Sequence, residues 1–253
     1  MSAPGGWLAA LGKLLVPTRC VLCGVIGPET VCAPCAAKLE RVGQACSRCG
    51  RQRRTAWASP DCGECHNQSL GVAQARSMLL YNAAGRELLA EFKFNQRDAA
   101  GAWLAAQVAQ YLRPGCGELY AVPGLAPALV VPVPIHAQRR KERGFNQAEA
   151  LGEAAAEALG LQCVPQLLER TRPTPTQVGL SAPQRLANVR GAFAVPEAAR
   201  TQLRGQYVLL VDDLMTTGAT LRACALALRR GGAKAVLGLT AFSTTHDAET
   251  HSR

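Results

Sequence analysis

No stretch of this chain approaches the roughly 20 consecutive apolar residues that a membrane span requires, although 48% of its 253 residues are apolar. No charged leader stands ahead of an apolar run at the N-terminus, so the protein is expected to be cytoplasmic. A surface membrane contact is open only to a short amphipathic helix carrying Trp7, Leu8, Leu11, Leu14 and Leu15, with Lys13 opposite. Packing of that helix against its own neighbouring segment is the simpler expectation. No Gly-Lys-Ser/Thr closes a glycine-rich turn, which excludes a P-loop. Internal repetition is absent too, except in the cysteines.

Cysteine is abundant, and eight of the 11 cysteines fall in four Cys-x-x-Cys pairs: Cys20/Cys23, Cys32/Cys35, Cys46/Cys49 and Cys62/Cys65. Two thiolates at that spacing grip one Zn²⁺ from a tight turn, and two such knuckles complete a tetrahedral site. Joining consecutive knuckles leaves loops of eight and 12 residues; a crossed pairing, first with third and second with fourth, stays open. Disulfides would need an oxidising compartment, and redox Cys-x-x-Cys motifs do not come in fours. Two structural zinc ions are therefore expected, with no ligand position left for catalysis. Cys116, Cys163 and Cys224 are read as ordinary buried or semi-buried residues.

The formal charge of +10 overstates how basic the folded chain is, because two four-thiolate zinc sites, each carrying about −2, lower it to about +6. What remains is local. Arg48, Arg51, Arg53 and Arg54 lie on or beside the loop between the last two knuckles, with Trp57 and His66 nearby. Arg51, Arg53, Arg54 and Trp57 are candidate contacts to a phosphate backbone and a stacked base; a solvated arginine loop is the alternative.

The rest reads as α/β. Strands are expected at Ala75 to Tyr81, Ala128 to Val133, Gln206 to Val211 and Ala233 to Phe242, and helices over 83–93, 98–112, 145–160 and 217–230. That alternation predicts a parallel sheet with crossover helices. Residues 1–70 are assigned to a double zinc-ribbon-like module, 71–245 to the α/β domain and 246–253 to a flexible tail. Val208 to Thr220 read VLLVDDLMTTGAT: a buried strand, two carboxylates at its carboxyl end, then hydroxyls and backbone amides at a helix start. Carboxylates suit vicinal hydroxyls or a hydrated cation, and a helix start suits a phosphate. A sugar phosphate satisfies both. Arg139, Arg140, Lys141 and Arg143 follow another strand and so reach the same sheet edge, where they could hold a pyrophosphate. Residues 170–183 are proline-rich and aperiodic, a lid candidate, with Gln177, Arg185 and Asn188 as contacts on closure.

The Val208 to Thr220 stretch resembles the phosphoribosyl pyrophosphate (PRPP) motif of type I phosphoribosyltransferases. Together with the cysteine knuckles, Lys93/Phe94, the PVP…RGFNQA run over 132–148 and the run from Thr176 to Phe193, it resembles the ComF family, which includes ComFC-like and GntX-like proteins. The resemblance implies a type I phosphoribosyltransferase fold, a parallel sheet flanked by helices, behind a small N-terminal zinc-ribbon module with four-cysteine sites. It also implies a role in natural competence, handling single-stranded DNA on the cytoplasmic side, with competence DNA-uptake proteins as partners. It implies PRPP with Mg²⁺, with Asp212 and Asp213 on the ribose hydroxyls and orienting the metal. Thr216, Thr217, Gly218, Ala219 and Thr220 would hold the 5′-phosphate, and Arg139, Arg140 or Arg143 the pyrophosphate. In catalysis, Asp212, Asp213 and Arg143 are the candidates. No residue clearly activates a nucleophile; His136 is the lone candidate base. Three readings follow: a competence-associated PRPP-binding protein that contacts single-stranded DNA, a metabolic phosphoribosyltransferase on a base or amine, and a PRPP sensor without catalysis.

Overall fold

A run such as Val208-Leu209-Leu210-Val211 has no side to offer water, and it forms the middle of the central strand of a five-stranded parallel sheet. The computed structural model describes residues 18–53, 59–63, 65, 70–94, 98–113, 126–174 and 181–245. In it the sheet strands are β1 (Gln74–Leu80), β2 (Leu129–Pro132), β3 (Gln162–Cys163), β6 (Tyr207–Met215) and β7 (Ala235–Ser243), ordered β1-β7-β6-β2-β3. A separate antiparallel pair joins β4 (Glu169–Arg170) to β5 (Phe193–Ala194). The helices are α1 (Ala33–Ala36), α2 (Ala83–Phe94), α3 (Asp98–Tyr111), α4 (Ala137–Arg143), α5 (Gln147–Leu159), α6 (Ala182–Val189), α7 (Arg200–Leu203) and α8 (Ala219–Arg230).

Alternation along β6 divides the core. Leu209 and Val211 pack with Leu88, Leu104 and Leu151 of α2, α3 and α5 on one face. Val208 and Leu210 pack with Leu221, Cys224 and Leu228 of α8 on the other. The expected strands and helices are present, with shifted ends. The helix expected from residue 145 begins at Gln147, because Asn146 caps it: its side chain accepts from the Ala148 amide at 3.2 Å and donates to the Val133 carbonyl at 3.0 Å. Four helices were not foreseen, the four-residue α1 and α7 among them. The basic run forms α4, capped by His136 and ended by Gly144 at φ +80°, and the proline-rich stretch ends in α6, opened by a capping box between Ser181 and Gln184.

β1 is an edge strand, and its outer edge is covered by the cysteine-rich segment rather than by water. The Val42 amide donates to the Met78 carbonyl at 3.0 Å, the Leu80 amide to Glu40 at 2.8 Å and the Ala75 amide to Arg48 at 2.7 Å. At the opposite edge β3 is only two residues long, which leaves little to template another strand. Cys20, Val21, Val31, Cys35 and Leu39 join the same apolar cluster as α2 and α3. The N-terminal amphipathic helix, the tail and Cys116 lie outside the described residues.

The two ribbons repeat each other at an offset of 26 residues: Gly24 donates to the Cys20 carbonyl at 2.8 Å as Gly50 does to Cys46 at 2.9 Å, and Cys20 donates to Val25 as Cys46 does to Arg51. Gly24 and Gly50 share a left-handed backbone, φ +73° and +69°. Their surroundings differ: a Cβ at Gly24 would meet nothing within 4 Å, whereas at Gly50 it would stand 2.4 Å from the Ala75 carbonyl oxygen. Gly24→Ala is expected to cost about 1–2 kcal/mol for the backbone alone, and Gly50→Ala about 1–3 kcal/mol more. Equal losses of stability in denaturant titration would show that the second ribbon does not seat tightly on β1.

Candidate functional site

The crevice forms where β6 outlasts β2. Their pairing ends at Pro132 and Val211, followed by a bond from the Val133 amide to the Val211 carbonyl, while β6 continues beside β7 to Met215 and Ser243. This is the point where strand order reverses, and loops leaving the two carboxyl ends diverge around a cleft. β2 delivers α4 to it, and β6 delivers Asp212, Asp213 and the turn Thr216-Thr217-Gly218.

The two carboxylates differ. Asp212 is buried, and one of its carboxylate oxygens accepts from the Asp213 amide at 2.9 Å. Burial, reinforced by the neighbouring Asp213 carboxylate, pushes the Asp212 carboxyl up to about 8. Asp213 instead forms an ion pair with Lys93, the last-turn lysine of α2, at 2.6 Å. Lys93 was marked in the sequence only through the family resemblance. No local spacing links a helix end to a residue 120 positions later.

A helix separates the four cations that the sequence placed in one turn. Arg139 and Arg143, one turn apart on α4, are half-buried and face the crevice. Burial and then Arg139 lower the Arg143 pKa, while the Asp213 carboxylate opposes them. Arg140 and Lys141 lie outward, and Arg140 is paired with Glu149 of α5 at 2.5 Å, which raises its pKa. Arg140 is thus committed to a carboxylate on its own side of the sheet. Arg170 takes its place at the crevice: burial and Arg139 lower its pKa, and among the opposing charges is Asp212. Its guanidinium also bonds the Thr174 hydroxyl and stacks 5.4 Å from the Phe193 ring centroid. Arg170 opens the proline-rich stretch and carried no signal of its own. His136 accepts the Gln138 amide at 3.3 Å through Nδ1 as the helix cap.

The turn after β6 fits an anion. Gly218, at φ +76°, redirects the chain into α8, whose first-turn amides have no partners within the helix. The Thr217 hydroxyl is buried without a hydrogen-bond partner among the described residues, a condition that a bound oxyanion would relieve. From behind, Arg51 donates to the Thr216 carbonyl at 3.1 Å. Arg51 is only 5% exposed, so it is not the solvent-facing nucleic-acid contact that its sequence neighbourhood suggested. Arg53 is half-buried and bonds the Pro60 carbonyl; Arg54, Trp57, His66 and Gln177 lie outside the described residues.

The cysteines resolve into consecutive pairs: Cys20, Cys23, Cys32 and Cys35 form one quartet and Cys46, Cys49, Cys62 and Cys65 the other, with all sulfurs of a quartet within 4.8 Å of one another. Ligands about 2.3 Å from a tetrahedral ion stand about 3.8 Å apart. Cys23 to Cys32 at 3.6 Å and Cys49 to Cys62 at 3.8 Å match that edge, not the roughly 2.05 Å of a disulfide. Backbone amides point at sulfur as well, Cys32 to Cys20 at 3.5 Å and Cys62 to Cys46 at 3.2 Å. Both quartets fit structural zinc.

A carboxyl whose folded pKa lies above its unfolded value holds its proton more tightly when folded. Asp212 therefore favours folding near pH 4, and that contribution is lost as pH rises through about 8. Asp212→Asn, with no charge to bury, is expected to melt higher than the parent at about pH 8 without ligand. The gain should shrink toward about pH 5, with a slope of at most about 1.4 kcal/mol per pH unit. Thermal melts across that range check it; a pH-independent difference would overturn it.

Residues 11–66 match the double zinc ribbon domain and residues 101–251 the phosphoribosyl transferase domain. The chain is 31% identical over 227 residues to the DNA utilization protein YhgH of Salmonella typhimurium, covering 88% of this chain and 96% of that protein. It is 27% identical to competence protein F of Haemophilus influenzae, over 86% of this chain and 93% of that protein. To competence protein ComFC of Bacillus subtilis it is 28% identical, over 84% and 83%. Two domain matches in this order, and relatives aligned over nearly their whole length, lead to one conclusion: the chain belongs to the ComF family, a double zinc ribbon joined to a phosphoribosyltransferase domain.

Proposed function

We propose that the crevice binds PRPP with Mg²⁺ and that the protein serves DNA use in natural competence from the cytoplasmic side. The observation that carries the first part is the unpartnered, buried Thr217 hydroxyl at the start of α8, beside two carboxylates and the half-buried Arg139, Arg143 and Arg170. Thr216 to Thr220 would take the 5′-phosphate, and Asp212 and Asp213 the ribose hydroxyls. Arg139, Arg143 and Arg170 would neutralise the pyrophosphate. Lys93, released from Asp213, becomes a further cation available to it. The carboxylates are hard oxygen donors suited to Mg²⁺, which when bound would offset charge on the pyrophosphate. Were transfer to occur, the ribose C1–oxygen bond to pyrophosphate would break as an acceptor's bond to C1 forms. The same site without an acceptor is a sensor.

The names of the relatives support the DNA part of the reading, and so does a second surface. A groove of about 730 Å³ lies between α6, β5 and α8, lined by Leu186, Val195 and Leu226 and by Arg190, Arg222 and Arg230. Guanidinium groups around an open groove suit the phosphates of a single strand. Among the described residues no helix is long and apolar enough to cross a membrane.

Calorimetric titration of PRPP and Mg²⁺ into zinc-loaded protein should show saturable binding, abolished in Asp212→Asn/Asp213→Asn; no binding to folded protein would overturn the PRPP reading. Pyrophosphate release with candidate acceptors separates an enzyme from a sensor. Arg190→Ala/Arg230→Ala is expected to lower oligonucleotide affinity and to reduce the salt slope by about 1.4, roughly 0.7 for each phosphate no longer neutralised, with PRPP binding unchanged. Unaltered DNA affinity would place the strand elsewhere.

A further inference from the structure

The second ribbon departs from the first at the residue that follows the knuckle glycine. By the 26-residue offset, Arg51 occupies the place of Val25, whose amide-accepting carbonyl it duplicates. Val25 is 53% exposed, as a knuckle-tip residue ordinarily is, whereas Arg51 is 5% exposed. Its guanidinium reaches the Thr216 carbonyl at 3.1 Å, across 165 positions of sequence. A second connection runs beside it. Leu70 packs on the Cys46/Cys49/Cys62/Cys65 cluster and on the α8 side of the core, and a Cβ built at Gly218 would stand 2.8 Å from its Cδ2. Gly50 anchors the assembly by its close approach to the Ala75 and Arg76 backbone.

We infer that Arg51 and Leu70 are positioning residues of the anion turn, and that the second cysteine quartet, unlike the first, is part of what makes the phosphate site. The quartet fixes the Cys46 to Arg51 turn, the turn aims the Arg51 guanidinium, and the guanidinium holds the Thr216 peptide so that the following amides face the crevice. From the other side Leu70 sets how far Gly218 can approach. The first quartet packs with α2 and α3 and makes no such contact among the described residues. This deepens the PRPP reading and, for its binding arm, rests on it.

The test compares full-length parent, Arg51→Met, Arg51→Lys, Cys62→Ser and Cys32→Ser, each with its zinc content measured. Amide hydrogen exchange over residues 216–220 reads the turn directly, and titration with ribose 5-phosphate reads the site. Arg51→Met should retain both zinc ions, exchange faster at 216–220 and bind about tenfold more weakly, with Arg51→Lys partly restoring both. Cys62→Ser should lose one zinc ion and show the same two changes. Cys32→Ser should lose one zinc ion and show neither. Exchange at 216–220 unchanged in Arg51→Met, or equally raised in Cys32→Ser and Cys62→Ser, overturns the inference. If the parent fails to bind ribose 5-phosphate the PRPP reading falls, and the exchange comparison still decides the coupling.

Discussion

An open β-sheet edge must be paired or protected, and the arrangement of this molecule follows from how the β1 edge is closed. Three backbone bonds tie the cysteine-rich segment to it, one donated by Val42 and two received at Glu40 and Arg48. Because those bonds involve a segment held by metal-ready cysteine quartets, the sheet borrows its order at one side from coordination chemistry rather than from another strand. The two parts share apolar residues as well, through Leu39 and Val31 on one face and Leu70 on the other. The ribbons thus serve as the missing wall of the sheet. A phosphoribosyltransferase domain cut away at residue 70 would carry a bare edge, so the ribbon is not a detachable cassette.

Electrostatics organises the crevice along the same line. Carboxylates, guanidinium groups and an ammonium arrive from four separate segments: α2, α4, β4 and the end of β6. Each half-buried cation lies near another cation or a carboxylate, so the charges hold one another in check. Lys93 on Asp213 and Arg140 on Glu149 show two fates for a cation in such a cluster. Lys93 sits on the crevice carboxylate Asp213, and Arg140 is turned away to Glu149.

Much of this was legible in the chain. The buried strand ending in Asp212-Asp213 and the helix beginning after Thr217-Gly218 were readable because burial, turn chemistry and period all agree within 13 residues. The two zinc quartets were readable for the same reason, though their pairing needed three dimensions. What failed to show had a common physical origin. Arg51 lay in an arginine-rich loop, where composition suggests solvent, yet its guanidinium is buried against the Thr216 carbonyl of the turn after β6. The cations of the basic run were taken together because a turn presents all of its side chains, whereas the helix that forms sends Arg139 and Arg143 one way and Arg140 another. Lys93 and Arg170 reach the crevice only through tertiary packing, and nothing adjacent in sequence marks them.

The burial of Asp212 reaches beyond fold stability. A carboxyl whose pKa is pushed up by burial holds its proton more tightly than an exposed one, so a cation or sugar hydroxyl that engages it as a carboxylate would favour release of that proton to solvent. On the proposed reading, ligand capture and proton release would be one event. The binding enthalpy would then include the ionisation heat of whichever buffer accepts the proton, and two laboratories using different buffers at one pH would record different enthalpies for the same affinity.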